Sequence, residues 1–313
     1  MNAATRNPPS LARRHALCAL AMALFWAGSA SAITIQFDYR FDAQGFFDPA
    51  TPDGAAARAS LEAAGQIGSL LGDSLLEIDP AAGESWTTGG FLNPGGFGQV
   101  WVTDLYVPAD TLIVFVGGRA LTGALGFAGG TGIFNVSGDT AFEDRVRARG
   151  QTGALGADAN DVGPWGGAIT FSSSVPWHFG AGDPAADQQD FFTTAQHELM
   201  HILGYGSRAW YNLVDEQGFF QGPLANAVFG GPVPTISSHW VEGTVGTVDG
   251  VLQETQMDPS TPRGVRQRAT DLDIAALGDI GWQLVPEPGT GLLMGLGLLL
   301  LGRPARSLPS ARA

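Results

Sequence analysis

His197-Glu-Leu-Met-His201, with Gly204 three residues further on, has the form H-E-x-x-H-x-x-G. Residues four apart lie on one face of a helix, so His197 and His201 can offer two imidazole nitrogens to one metal ion. Glu198 sits one residue on, turned toward the neighbouring flank, where a carboxylate can take a proton from a metal-bound water. Two neutral imidazoles and an open coordination position are what a catalytic zinc needs. The preceding Asp190-Phe-Phe-Thr-Thr-Ala-Gln reads as the first turns of that helix, and Gly204 suits its end because glycine accepts positive φ. A chance match on a surface helix is the competing reading. It is disfavoured because the chain holds only 5 His, and two of them fall in this one pattern.

Working outward, the first residues read as an export signal. Arg13, Arg14 and His15 form a basic start, Ala16 to Trp26 an apolar run, and Ala30-Ser31-Ala32 a small-residue cleavage site. The mature chain then begins near Ile33. Cys18, the single cysteine, lies near the beginning of the apolar run and not at its end, which excludes a lipoprotein reading. The exported body therefore has no disulfide and no cysteine metal ligand, and depends on its core and on bound metal. Between residues 33 and 288 ten arginines face thirty acids, a net charge of −20 where the whole chain carries −14. So acidic a body argues against nucleic acid and anionic lipid as partners and leaves room for Ca2+. Asp158-Ala-Asn-Asp-Val-Gly163 offers oxygen ligands for calcium but lacks full EF-hand spacing, and reads more simply as an acidic turn.

Ile33-Thr-Ile-Gln-Phe-Asp-Tyr39 alternates as a strand does, residues 54–72 carry apolar positions near helical spacing, and residues 99–107, 111–116 and 167–172 read as further strands. The glycine-rich stretches 117–139 and 150–167 are expected to be long irregular loops. Residues 205–236 carry no clear pattern. A last helix is expected from Thr270, a good N-cap with acids behind it, to about Gly281.

Strand, helix, strands and a mid-chain metal helix follow the order of the zincins, and the chain resembles that architecture. The resemblance implies an α+β domain over 33–284, with a twisted mixed sheet and the active-site helix in an upper lobe (33–204) and a smaller C-terminal lobe (205–284). It also implies an edge strand able to bind a peptide by strand addition. Ile169-Thr-Phe171, just upstream of the metal helix, is the candidate for that edge, with a plain core strand as its equal alternative.

A third ligand is not supplied by the short motif, because Ser207 stands where a third His is usual in metzincins. His239, Glu216 and His178 remain as candidates. Ser238-His239-Trp240 is followed by Glu254-Thr-Gln-Met257-Asp-Pro259 and by Thr270-Asp-Leu-Asp-Ile-Ala-Ala-Leu-Gly-Asp-Ile-Gly-Trp282. Over about 165–282 the chain thus resembles the leishmanolysin-like metzincins. The resemblance implies a Zn2+-dependent metalloendopeptidase with His197, His201 and His239 as metal ligands, Glu198 as general base and Met257 as the residue of the Met-turn. On its own, one Met in a loop is ordinary core filler. The chain departs from the family in lacking cysteines and in having no Tyr after Met257. The competing functional reading is a non-catalytic envelope or matrix protein with a structural metal site.

The C-terminal residues carry a second signal. Val285-Pro-Glu-Pro-Gly289 leads into a 12-residue apolar run, Gly291 to Gly302, and then to Arg303, Arg306 and Arg312. The run is short of the ~20 residues of a standard membrane span. This tripartite order over 285–313 resembles the PEP-CTERM sorting tail of Gram-negative bacteria. It implies transient membrane insertion as a short helix, handling by an exosortase-type sorting enzyme, and delivery to the cell envelope, outer surface or extracellular matrix.

Overall fold

In the computed structural model the chain divides into two compact units, Met1–Ser31 and Ala32–Ala313. The structure describes residues 32–285, all within the second unit. The export signal over 1–32 and the sorting tail over 285–313 therefore lie, except for their innermost residues, outside the described residues. Among the described residues no helix is long and apolar enough to cross a membrane.

The architecture is α+β, built on one four-stranded mixed sheet. Its strands are β1 (Thr34–Asp38), β2 (Thr111–Arg119), β3 (Gly126–Gly129) and β4 (Gly166–Ser172), in the order β1-β2-β4-β3. β1, β2 and β4 run parallel, and β3 closes one edge antiparallel, with Phe127 opposite Thr170. β2 and β4 are buried along nearly their whole length. That suits their continuous apolar character, because a parallel sheet is covered on both faces. Val114, Val116, Ile169 and Phe171 pack to one side, against the helices. Ile113, Phe115 and Ala168 pack to the other, against Trp86, Phe142 and Trp165.

Two helices cover the first face. α1 (Pro52–Gly65) starts at Thr51, whose side chain accepts from Gly54 N, with Pro52 preset for the first turn. α3 (Phe191–Ile202) carries the histidine motif. Between them in sequence, α2 (Thr140–Ala148) follows the glycine-rich region. Ala57, Leu61 and Ala64 of α1 share a cluster with Phe191, Ala195 and Leu199 of α3. Asp190 caps α3, accepting from Thr193 N at 3.0 Å. Its buried carboxylate also takes two bonds from Arg266, at 2.8 and 3.0 Å. The start of the metal-motif helix is thereby tied to a segment 76 residues away.

The segment 205–236, unpatterned in sequence, folds through aromatic contacts. It holds α4 (Arg208–Asn212) and α5 (Pro223–Phe229). Tyr205, Trp210, Phe220 and Trp240 meet with ring centroids 4.5–5.9 Å apart. Four such rings bury a large apolar area without any helical or strand period, so no pattern betrays them. The last helix, α6 (Asp271–Asp279), is capped by Thr270 as its sequence indicates. Beyond it, Gly72 N bonds Gln283 O and Val285 N bonds Leu70 O, so the end of the described chain closes against residues 70–72.

Two expectations are corrected. Ile169-Thr-Phe171 is not the edge: it lies in β4, between β2 and β3. The edge on that side of the sheet is Gly126–Gly129, inside a stretch that read as irregular loop. Two glycines and no alternation hide it, and only its pairing with β4 makes it a strand. Residues 99–107 do not form one strand either. Gln99–Val100 pairs with Phe91–Leu92, and beyond it only single bridges at Thr103 and Val107 remain.

Candidate metal centre

α3 brings His197 and His201 to one face one turn apart, with ring centroids 5.1 Å apart. It stops sharply behind them. Gly204 adopts φ +121°, and the chain turns back so that Tyr205 N bonds Met200 O and Gly204 N bonds His201 O, both at 3.1 Å. This is the closing pattern of a helix ended by a glycine at positive φ. It also delivers the Tyr205 carbonyl to His201 Nδ1, 3.2 Å away. The local signal Gly204 thus sets the orientation of a histidine three residues earlier.

His239 arrives on the short strand His239–Trp240, paired antiparallel with Val233–Ile236. Its Nε2 lies 3.1 Å from His197 Nε2 and 3.2 Å from His201 Nε2. His197 Nδ1 lies 2.8 Å from the Gln256 carbonyl. A carbonyl only accepts, so the protons of His197 and His201 sit on Nδ1. Their Nε2 atoms then carry lone pairs, and both point at the third Nε2. One proton on His239 can satisfy only one of them. A divalent cation satisfies all three. Tetrahedral zinc at ~2.0–2.1 Å from each nitrogen sets them about 3.4 Å apart, close to the spacing observed. The residues present fit the metal.

Burial keeps these imidazoles neutral, as metal ligation requires. Desolvation first, then neighbouring histidines, pushes His197 down to about 3 and His201 down to about 4. Desolvation also lowers His239. Glu198 is buried too, and desolvation pushes its carboxyl up to about 8, against the opposing effect of the Ala128 backbone N–H. Glu198, the three histidines and the edge strand β3 line a cleft of about 870 Å³.

The other sequence candidates fall elsewhere. His178 bonds the Gly182 carbonyl at 2.9 Å and does not join the histidine group. Glu216 is exposed in the turn before Phe219–Phe220 and lies outside that group. Met257 is fully buried, packed with Trp240 and Leu272, and its carbonyl accepts from Trp240 N at 3.0 Å. The calcium candidate at 158–163 gathers no carboxylate group among the described residues. Asp161 there accepts its neighbour Val162 N instead. Glu242, Glu254 and Asp258 do come together. There, burial and a bond that Asp258 donates to Glu242 push Asp258 up to about 7.

Sequence reasoning missed Gly126. A methyl group on it would lie 2.7 Å from Glu198 Oε1 and 2.8 Å from Glu198 Cγ. Its backbone needs no positive φ, so alanine suits the strand, and the nearest atoms it meets belong to the Glu198 side chain. On a metallopeptidase reading of the group, Gly126→Ala is expected to fold and to keep its metal, while turnover falls roughly 10–100-fold through misplacement of Glu198. Zinc content and peptide cleavage measured side by side check this, and wild-type turnover in the variant would refute it.

Comparison with protein-family models, with curated proteins and with solved structures finds no significant match to this chain.

Proposed function

We propose that the chain is an exported zinc metalloendopeptidase with a zincin-type domain over 33–284, directed to the cell envelope or matrix by its terminal signals. One observation carries the reading: three imidazole Nε2 atoms converge beside a buried carboxylate that is not one of the group. His197, His201 and His239 hold the metal, and Met257 supplies the Met-turn. When bound, zinc supplies a Lewis acid that polarises the scissile carbonyl and lowers the pKa of water toward ~7.

The chain's own residues do the rest. Glu198, one residue from a ligand, takes a proton from the attacking water and passes it to the leaving amine. Its place beside the histidine group, not within it, leaves the carboxylate free for that proton transfer. β3 pairs with β4 along one side only. Its other side can add an extended peptide as a further strand and lay a scissile bond across the cleft. The sheet order supports the same reading, with parallel strands closed by one antiparallel edge beside the metal helix.

The alternative, a matrix protein with a structural metal site, has no use for a buried carboxylate whose burial opposes its charge. A chelator separates the two. Casein cleavage by the purified chain is expected to cease with a strong zinc chelator and to return on adding Zn2+. Absence of cleavage by the zinc-loaded chain, or cleavage indifferent to the chelator, would defeat the proposal.

A further inference from the structure

Asp273 lies in the first turn of α6 and is completely buried. Part of its bonding is local. Thr270 N and Thr270 Oγ1 donate to its Oδ2 at 2.8 and 2.7 Å, and Asp273 N donates back to Thr270 Oγ1. That is a reciprocal helix cap. A cap accounts for one side of the carboxylate only.

The remaining bonds are long-range. Gln256 N donates to Oδ2 at 2.8 Å, Met257 N to Oδ1 at 3.3 Å, and Trp240 Nε1 to Oδ1 at 3.0 Å. Tyr205 OH donates to the Asp273 backbone carbonyl at 2.9 Å. Each partner leads to a different histidine. The Gln256 carbonyl accepts from His197 Nδ1. The Tyr205 carbonyl accepts from His201 Nδ1. Trp240 follows His239 directly, and its amide bonds the Met257 carbonyl.

We infer that Asp273 is a positioning residue of the metal centre: its carboxylate holds Gln256, whose carbonyl orients His197, and Trp240, the neighbour of His239, while its backbone carbonyl holds Tyr205, whose own carbonyl orients His201. The inference rests on the reading of His197, His201 and His239 as metal ligands. The three histidines come from two segments 38 residues apart, and the Met-turn from a third. Direct bonds join these segments, among them His197 Nδ1 to the Gln256 carbonyl and Trp240 N to the Met257 carbonyl. A buried carboxylate must have its oxygens matched by donors, and here five donors from three segments supply them. Outer-shell partners of this kind fix imidazole tautomer and direction, and their loss typically weakens metal binding ~10–100-fold.

Zinc affinity, read by competition with a chromophoric chelator, tests this, together with the visible spectrum of the Co2+-substituted chain as a report on ligand geometry. Asp273→Asn keeps the shape but turns an amide N–H2 toward N–H donors on one side. Thr270→Ala removes the cap and leaves the links to the histidine partners. Asp273→Asn is expected to lose ~10–100-fold in zinc affinity and to change the Co2+ spectrum. Thr270→Ala is expected to lower the melting temperature while holding affinity within about twofold. Wild-type affinity in Asp273→Asn, or an equal loss in both variants, overturns the inference. If Asp273→Asn does not fold, Trp240→Phe, which removes one link and keeps a buried ring, decides in its place. It should weaken zinc severalfold, and unchanged affinity refutes the role. Wild-type chain that binds zinc beside an unaffected variant sinks this inference alone. Wild-type chain that binds none sinks the metal centre itself.

Discussion

Glu198→Ala should bind zinc as the wild type does and cleave casein at least ~10²-fold more slowly, the scale on which general acid–base groups act. Retention of metal follows from position. Glu198 is not in the histidine group, and its side chain faces Gly126 on the edge strand. A hundredfold loss corresponds to about 2.7 kcal/mol of transition-state stabilisation. Stability should not suffer. The carboxyl is buried and desolvation raises its pKa, so its charge contributes nothing favourable to the fold. The decisive comparison is zinc content, melting temperature and turnover on the same preparations. Equal turnover in mutant and wild type would leave the peptidase reading without a mechanism. Parallel loss of zinc would make Glu198 part of the metal site instead.

His239→Ala should lose stoichiometric zinc, while His178→Ala and Glu216→Ala keep it. A catalytic zinc needs three protein ligands, and removing one leaves two nitrogens on a single helix. His178 is occupied by the Gly182 carbonyl, and Glu216 is exposed outside the histidine group. Metal analysis after exhaustive dialysis gives the answer directly. Full zinc retention by His239→Ala would remove the third ligand from the proposal, and with it the support drawn from the convergence of three Nε2 atoms.

The parts of this protein that were legible in its sequence are those with local causes. A period of 3.6 residues places His197 and His201 together whatever surrounds them. Asp190 and Gly204 mark the two ends of α3, as Thr270 marks the start of α6, because caps act within a single turn. The apolar runs of β2 and β4 announce buried strands. Residue type alone left His239 beside Glu216 and His178, and the resemblance of its Ser-His-Trp context singled it out. Its neighbours in sequence set a likeness, not a distance.

By itself, then, the sequence determined the metal-motif helix, its caps, the last helix and the buried strands. Only the tertiary structure decided which side chain meets His197 and His201, which strand forms the edge, and what holds the three histidines in register. Gly126–Gly129 is a strand because β4 pairs with it, and Gly126 matters because Glu198 approaches it from another element. Asp273 reads as a helix cap until Trp240, Gln256 and Met257 are seen to bond it. Residues 205–236 look unpatterned because their order comes from aromatic rings meeting in space. The division is physical. Helix periods and caps are satisfied within a few residues, whereas strand pairing, buried-carboxylate bonding and ligand convergence depend on segments tens of residues apart, whose meeting no local pattern encodes.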